Sequence, residues 1–152
     1  MSSFKGRYEY VLDSKGRLSI PAKLRKNLSS EARDTFVVTR GDEKCLYLYP
    51  LDEWNKLEEK LHSLNQFKEK HRYFTRALLA WTSEEIILDS QSRISVPKNL
   101  LEFAEIEKEI VIIGALERIE VWNPKNLNEY LNAQPENYAA IVEQVMAASI
   151  DK

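Results

Sequence analysis

Residues 13–21 read Asp-Ser-Lys-Gly-Arg-Leu-Ser-Ile-Pro, and residues 89–97 read Asp-Ser-Gln-Ser-Arg-Ile-Ser-Val-Pro. The same nonapeptide recurs after 76 positions in a chain of 152. Asp, Ser, Arg, Ser and Pro fall in register, and both intervening sites are apolar. Such a match constrains the fold more than any single residue: the chain is two related halves, each presenting one short arginine-bearing loop.

The likeness extends outward from the nonapeptide. Glu9-Tyr10-Val11-Leu12 precedes the first copy and Glu85-Ile86-Ile87-Leu88 the second. Phe36–Thr39 and Cys45–Pro50 follow the first, while Ile110–Ile113 and Arg118–Trp122 follow the second. These runs are short, rich in β-branched and aromatic residues and bounded by turn residues, so they read as strands. A short helix is expected to begin at each motif proline, whose missing N–H is harmless at the first helical position. Leu24 and Leu28, then Leu100 and Ala104, would line its inner side.

Longer apolar stripes at helical spacing run through Leu51, Trp54, Leu57, Leu61 and Leu64, and through Phe67, His71, Phe74, Leu78 and Trp81. They predict a helical hairpin between the halves. Tyr138, Ile141, Val142, Val145 and Met146 form a third stripe after Pro135. All three read as core or subunit packing. The expected division is a first repeat over 1–53, the hairpin over 54–82, a second repeat over 83–126 and a helical segment over 127–152. No glycine-rich linker separates the halves, which are expected to fold as one unit.

Hydrophobic residues make up 43% and charged residues 30% of the chain, a balance that allows a folded core. No apolar run approaches the roughly 20 residues that span a bilayer, and the opening Met-Ser-Ser-Phe-Lys-Gly-Arg lacks a secretory signal. A cytoplasmic location is expected. Cys45 is the only cysteine, which excludes an intramolecular disulfide and a cysteine metal cluster. The net charge of −2 is unevenly spread. Residues 1–26 hold Lys5, Arg7, Lys15, Arg17, Lys23, Arg25 and Lys26 against Glu9 and Asp13. A basic face on an acidic body attracts a polyanion; the same residues also suit a merely solvated surface.

Asp13-Ser14-Lys15-Gly16 has the form of a type I turn, with Asp bonding the turn amides and Gly in the left-handed conformation. The turn projects Lys15 outward and starts the next strand at Arg17. Two cations on a stiff loop suit phosphate, and Arg17 has the fork geometry for a guanine edge. Equally, Asp13 can brace the turn by pairing with Arg17, as Asp89 can with Arg93. In the second copy Gln91 replaces Lys15 and Ser92 replaces Gly16. A non-glycine residue in the left-handed region costs about 1 kcal/mol, so this turn is either strained or differently shaped. Around it, residues 84–108 carry Arg93, Lys98 and Lys108 against six acids. The first loop is therefore the expected closer partner of nucleic acid.

The paired Asp-x-x-x-Arg loops, each running into a strand and then proline, resemble the bacterial MraZ proteins of the SpoVT/AbrB-like DNA-binding superfamily. The resemblance covers nearly the whole chain. It includes Phe4-Lys5-Gly6, residues 12–21, Leu48-Tyr49-Pro50-Leu51 with Trp54, then Gly114 and Glu120-Val121-Trp122. It implies an α+β fold in which two swapped-hairpin half-barrels form a pseudo-twofold β-barrel unit with flanking helices. It also implies a transcriptional regulator of the division and cell-wall gene cluster, acting in the cytoplasm at the nucleoid. Such a regulator binds short direct repeats of double-stranded DNA in its own promoter as a ring, commonly an octamer. By the same resemblance Lys15, Arg17 and Arg93 fall on DNA-contacting loops; Lys5, Arg7 and Arg25 complete the candidate DNA-binding set. Asp13, Gly16 and Asp89 are the candidate loop-structuring residues.

Enzymatic function is not expected. Cys45 lies in an apolar strand, His62 and His71 lack metal or catalytic neighbours, and no phosphate-binding glycine loop, HExxH or CxxC spacing is present. No cofactor, metal, small-molecule substrate or membrane partner is expected. The alternative reading is a ring-forming interaction scaffold, with DNA incidental and Trp54, Phe67, Phe74 and Trp81 as the binding surface. A single-motif antitoxin-like dimer is disfavoured, since both motif copies lie in one polypeptide.

Overall fold

In a computed structural model, which describes residues 2–150, the chain forms eight strands and six α-helices. The first half contains β1 (Phe4–Val11), β2 (Arg17–Ser19), α1 (Ala22–Arg25), β3 (Thr35–Arg40) and β4 (Cys45–Pro50). Helices α2 (Leu51–His62) and α3 (Glu69–Leu79) follow. The second half contains β5 (Ile86–Ile87), β6 (Arg93–Ser95), α4 (Lys98–Phe103), β7 (Glu109–Leu116) and β8 (Arg118–Trp122). Helices α5 (Pro124–Asn132) and α6 (Tyr138–Ile150) complete it, and residues 151–152 of the expected C-terminal segment lie outside the described residues.

Strand pairing exchanges the two halves. Every neighbouring pair is antiparallel, in the order β1-β7-β8-β4-β3-β5. The first strand of each half thus pairs with the third strand of the other half, while β2 pairs with β6 in a separate two-stranded ladder. Exchanging the halves leaves this order unchanged, so the arrangement is pseudo-twofold. The α+β class is as expected, but the sheet is not the closed barrel implied by the resemblance. Closure fails because β1 and β5 are edges, and β5 offers only two residues to β3.

Alternation along the strands places Phe36, Val38, Leu46, Leu48, Ile110, Ile112, Ile119 and Val121 on one buried face. Leu18 and Ile94, opposite each other in the β2–β6 ladder, close over that face, together with Leu24 of α1 and Leu100 of α4. Each such buried aliphatic side chain contributes about 1.5–3 kcal/mol. The opposite sheet face holds a smaller cluster of Cys45, Tyr47, Val111 and Trp122 under Leu127 of α5. Burial pushes the Cys45 thiol up to about 12, with Glu120 nearby adding to the effect, which leaves it an unreactive core group.

One local expectation is corrected. Pro21 and Pro97 are the caps of α1 and α4, not their first helical residues. Their φ of −53° and −57° would suit a helix, but ψ of 139° at both keeps them extended as continuations of β2 and β6. The three long stripes also divide. Trp54 and Leu61 of α2 are buried, whereas α3 buries none of its residues and Phe67 just before it is 95% exposed. Tyr138 on α6 is 85% exposed. Within one chain Trp81, the last residue of the second stripe, packs against the core, while Phe67, Phe74 and Tyr138 stay exposed.

Candidate nucleic-acid interface

Both motif loops have one internal design. The amide of Gly16 donates to the Asp13 carbonyl at 3.0 Å, and that of Ser92 donates to the Asp89 carbonyl at 2.9 Å. Asp13 Oδ1 accepts the amides of Lys15 and Arg17 at 2.9 and 2.8 Å; Asp89 Oδ1 accepts those of Gln91 and Arg93 at 2.8 and 3.0 Å. The second carboxylate oxygen of each takes the Nε of the loop arginine. Gly16 has φ of +72° and Ser92 +60°. The second turn therefore has the same shape as the first and carries the left-handed strain of a side-chain residue.

These bonds act on the carboxylates. At Asp13 the Arg17 amide is the largest influence, and with the Lys15 amide and the Arg17 guanidinium it holds the carboxyl below its ordinary range against partial desolvation. At Asp89 desolvation pushes upward, yet the Arg93 and Gln91 amides and the Arg93 side chain outweigh it. Asp13 and Asp89 thus each tie two amides and one arginine side chain of their own loop.

The β2–β6 ladder joins the loops. Arg17 lies opposite Ser95, Leu18 opposite Ile94 and Ser19 opposite Arg93. With Leu18 and Ile94 turned to the core, the period-two alternation of strands puts Arg17, Ser19, Arg93 and Ser95 together on the outer side. Asp13 Oδ2 touches both arginines, with Arg93 Nη1 at 3.6 Å. The guanidiniums are unequally committed. Arg93 engages Asp89 and Asp13, whereas among the described residues the only carboxylate engaged by Arg17 is Asp13. Bracing by Nε leaves the terminal nitrogens of Arg17 for a ligand, so the brace and a nucleic-acid contact are compatible.

The strand exchange also re-sorts the surrounding charge. The Val96 amide bonds the Gly16 carbonyl at 3.1 Å, and the Ile20 amide bonds the Ser92 carbonyl at 3.0 Å. Helix α4 therefore begins beside the first loop and α1 beside the second. A groove along the first loop is lined by Asp13, Lys15, Gly16, Lys98, Glu107 and Lys108 among others. Counting along the sequence assigns Lys98 and Lys108 to the second loop; only the exchange reveals their place beside the first. Arg25, conversely, lies on the helix that begins beside the second loop, and its Nε donates to the carbonyl of Ile20, whose amide bonds Ser92, at 3.0 Å.

Lys5 and Arg7 are not brought to the ladder. They are exposed on the edge strand β1, opposite Ala115 and Ile113, and Arg7 meets Glu9 at 3.7 Å. At a rise of about 3.3 Å per residue, the six positions between Arg7 and Asp13 correspond to about 20 Å.

Fold and site define an internally duplicated α+β protein that carries paired aspartate-braced arginine loops on one short ladder. The MraZ family profile, described as "MraZ protein, putative antitoxin-like", matches residues 3–77 and 80–147. A protein of Halothermothrix orenii named Transcriptional regulator MraZ is 46% identical over 148 residues, covering 97% of each chain. Proteins with the same name from Natranaerobius thermophilus and Pediococcus pentosaceus are 41% and 43% identical over 143 residues, covering 94% of this chain and 96% of each relative. This chain belongs to the MraZ family.

Proposed function

We propose that this chain is a transcriptional regulator that binds double-stranded DNA through its two motif loops. The observation that carries the reading is the ladder between them, which sets Arg17 and Arg93 on one outward face with Lys15 projecting from the first turn. The names of the relatives support regulation, and the braced loops support phosphate and base-edge contact. In this reading Lys15 and Arg17 make the closest contacts, Arg93 and Arg25 flank them, and Lys5 and Arg7 steer DNA from the edge strand.

The finer reading is of two interleaved half-units per subunit, with several subunits in a ring, commonly octameric, on direct repeats in the chain's own promoter at the division and cell-wall gene cluster. The exposed apolar faces of α3 and α6 support self-association. One loop pair neutralises few phosphates, but loops on adjoining subunits gain through effective concentration. Cytoplasmic, nucleoid-associated action follows from the same reading. Those apolar faces also favour the alternative of an interaction scaffold with incidental DNA binding.

The deciding experiment measures binding to the duplex upstream of the chain's own start codon and to a scrambled duplex, at two salt concentrations. Wild type is expected to prefer the upstream duplex and to weaken with salt. Lys15→Ala removes a cation without touching the brace, and Arg17→Ala removes both; each is expected to lose affinity while assembly persists. Equal affinity for both duplexes, or unchanged binding by both assembled variants, would overturn the assignment in favour of the scaffold.

A further inference from the structure

The nonapeptide copies differ in the turn at Lys15/Gln91 and Gly16/Ser92, and a helix position packed against the turn differs in step. With a 76-residue offset, Arg25 of α1 corresponds to Leu101 of α4. At the first loop, Leu101 Cδ1 lies 3.3 Å from where a Cβ on Gly16 would stand, so leucine fills the space the glycine leaves. At the second loop the glycine is Ser92, and the matching helix position is Arg25. The Ser92 carbonyl accepts the Ile20 amide, and the Ile20 carbonyl in turn accepts Arg25 Nε. This chain of bonds ties an exposed guanidinium to a loop that has Gln91 where the other has Lys15. Among the described residues Arg25 forms no ion pair.

We infer that Arg25, supplied by the first half, is the phosphate-binding cation of the second motif loop and takes the role that Lys15 has on the first. This rests on the DNA-binding reading and sharpens it: both loops contact the duplex, each with one exposed cation beside one braced arginine. On the first loop that cation belongs to the turn. On the second it comes from the helix packed against the turn, held by a single backbone carbonyl. The guanidinium is planar and presents terminal N–H groups beyond that bond, which suits bidentate contact to a phosphate.

The test uses the full chain and the upstream duplex, titrated from 50 to 200 mM salt. Arg25→Leu removes the guanidinium and keeps an aliphatic side chain at the same helix position. It is expected to make the salt dependence shallower by about 0.9 for each subunit bound to the duplex, shrinking the affinity ratio across that range about threefold for each phosphate no longer neutralised. The loss should be equal on matched and scrambled duplexes, because phosphate carries no sequence. Adding Gln91→Lys to Arg25→Leu turns the second loop into a closer copy of the first and is expected to restore the slope. Arg25→Lys is expected to retain it. A wild-type slope in Arg25→Leu while Lys15→Ala still weakens binding overturns the inference and leaves the DNA reading standing. An Arg25→Lys protein as defective as Arg25→Leu shows a bracing role instead and also overturns it. Salt-insensitive binding by wild type removes both.

Discussion

Asp13 and Asp89 do at the residue scale what the whole site depends on. Each carboxylate satisfies two amides of its own turn and one arginine Nε, leaving a rigid loop with its cations outward. Because both carboxyls titrate below their ordinary range, folding stability from the ionised form is complete above about pH 4, the unfolded value. It is lost as pH falls through the lower folded value. Asp13→Asn retains an acceptor for the amides but has no charge. Denaturant titrations of wild type and Asp13→Asn from pH 2 to pH 6 should show a stability gap at pH 6 that closes below pH 4. A constant gap would mean that the ionised brace adds nothing. The turn and its brace were legible in the Asp-x-x-x-Arg pattern, since all partners lie within four residues. Arg93 contacting Asp13 was not legible, because that contact spans the two halves.

At the element scale, β1 and β7 form the longest pairing, running from Phe4 opposite Leu116 to Val11 opposite Glu109. Gly114 makes it possible. A Cβ there would stand 2.3 Å from the Lys5 backbone nitrogen, so the strands approach too closely for any side chain. Gly114→Ala is expected to cost at least about 2 kcal/mol by forcing backbone apart. Amide exchange should locate the loss in residues 4–8, and protection there equal to wild type would refute this account. The strands themselves were readable from composition, but their partners were not: alternation reports which face is buried and is silent about which strand lies alongside. The helices repeat the lesson. The stripe on α2 meets the sheet and is buried, while those on α3 and α6 have the same period and remain open.

For the whole molecule, those open faces set the expected behaviour. Phe67, Tyr73 and Phe74 around α3, and Tyr138 and Met146 on α6, leave large apolar side chains in water. Exposed apolar area of this kind marks association surfaces. Replacing Tyr138 and Met146 together by Ser and Gln should lower the assembly size measured by light scattering, with secondary structure unchanged. Affinity for the upstream duplex should fall with it, since multivalent loops are separated. An unchanged particle mass would place the subunit contacts elsewhere.

The sequence by itself determined the duplication, the turn chemistry and the strand and helix types. All of these depend on residues close along the chain or on a pattern with a short period. Tertiary structure alone decided that the halves trade first strands, that the sheet stays open at β1 and β5, and that Lys98 lines the groove along the first loop while α1 begins beside the second. Those outcomes depend on contacts between residues some 50 or more positions apart, for which local periodicity holds no record. The repeated nonapeptide announced two similar loops. Their unequal turn cations were already legible there; the way each half completes the other became visible only when the ladder brought both loops together.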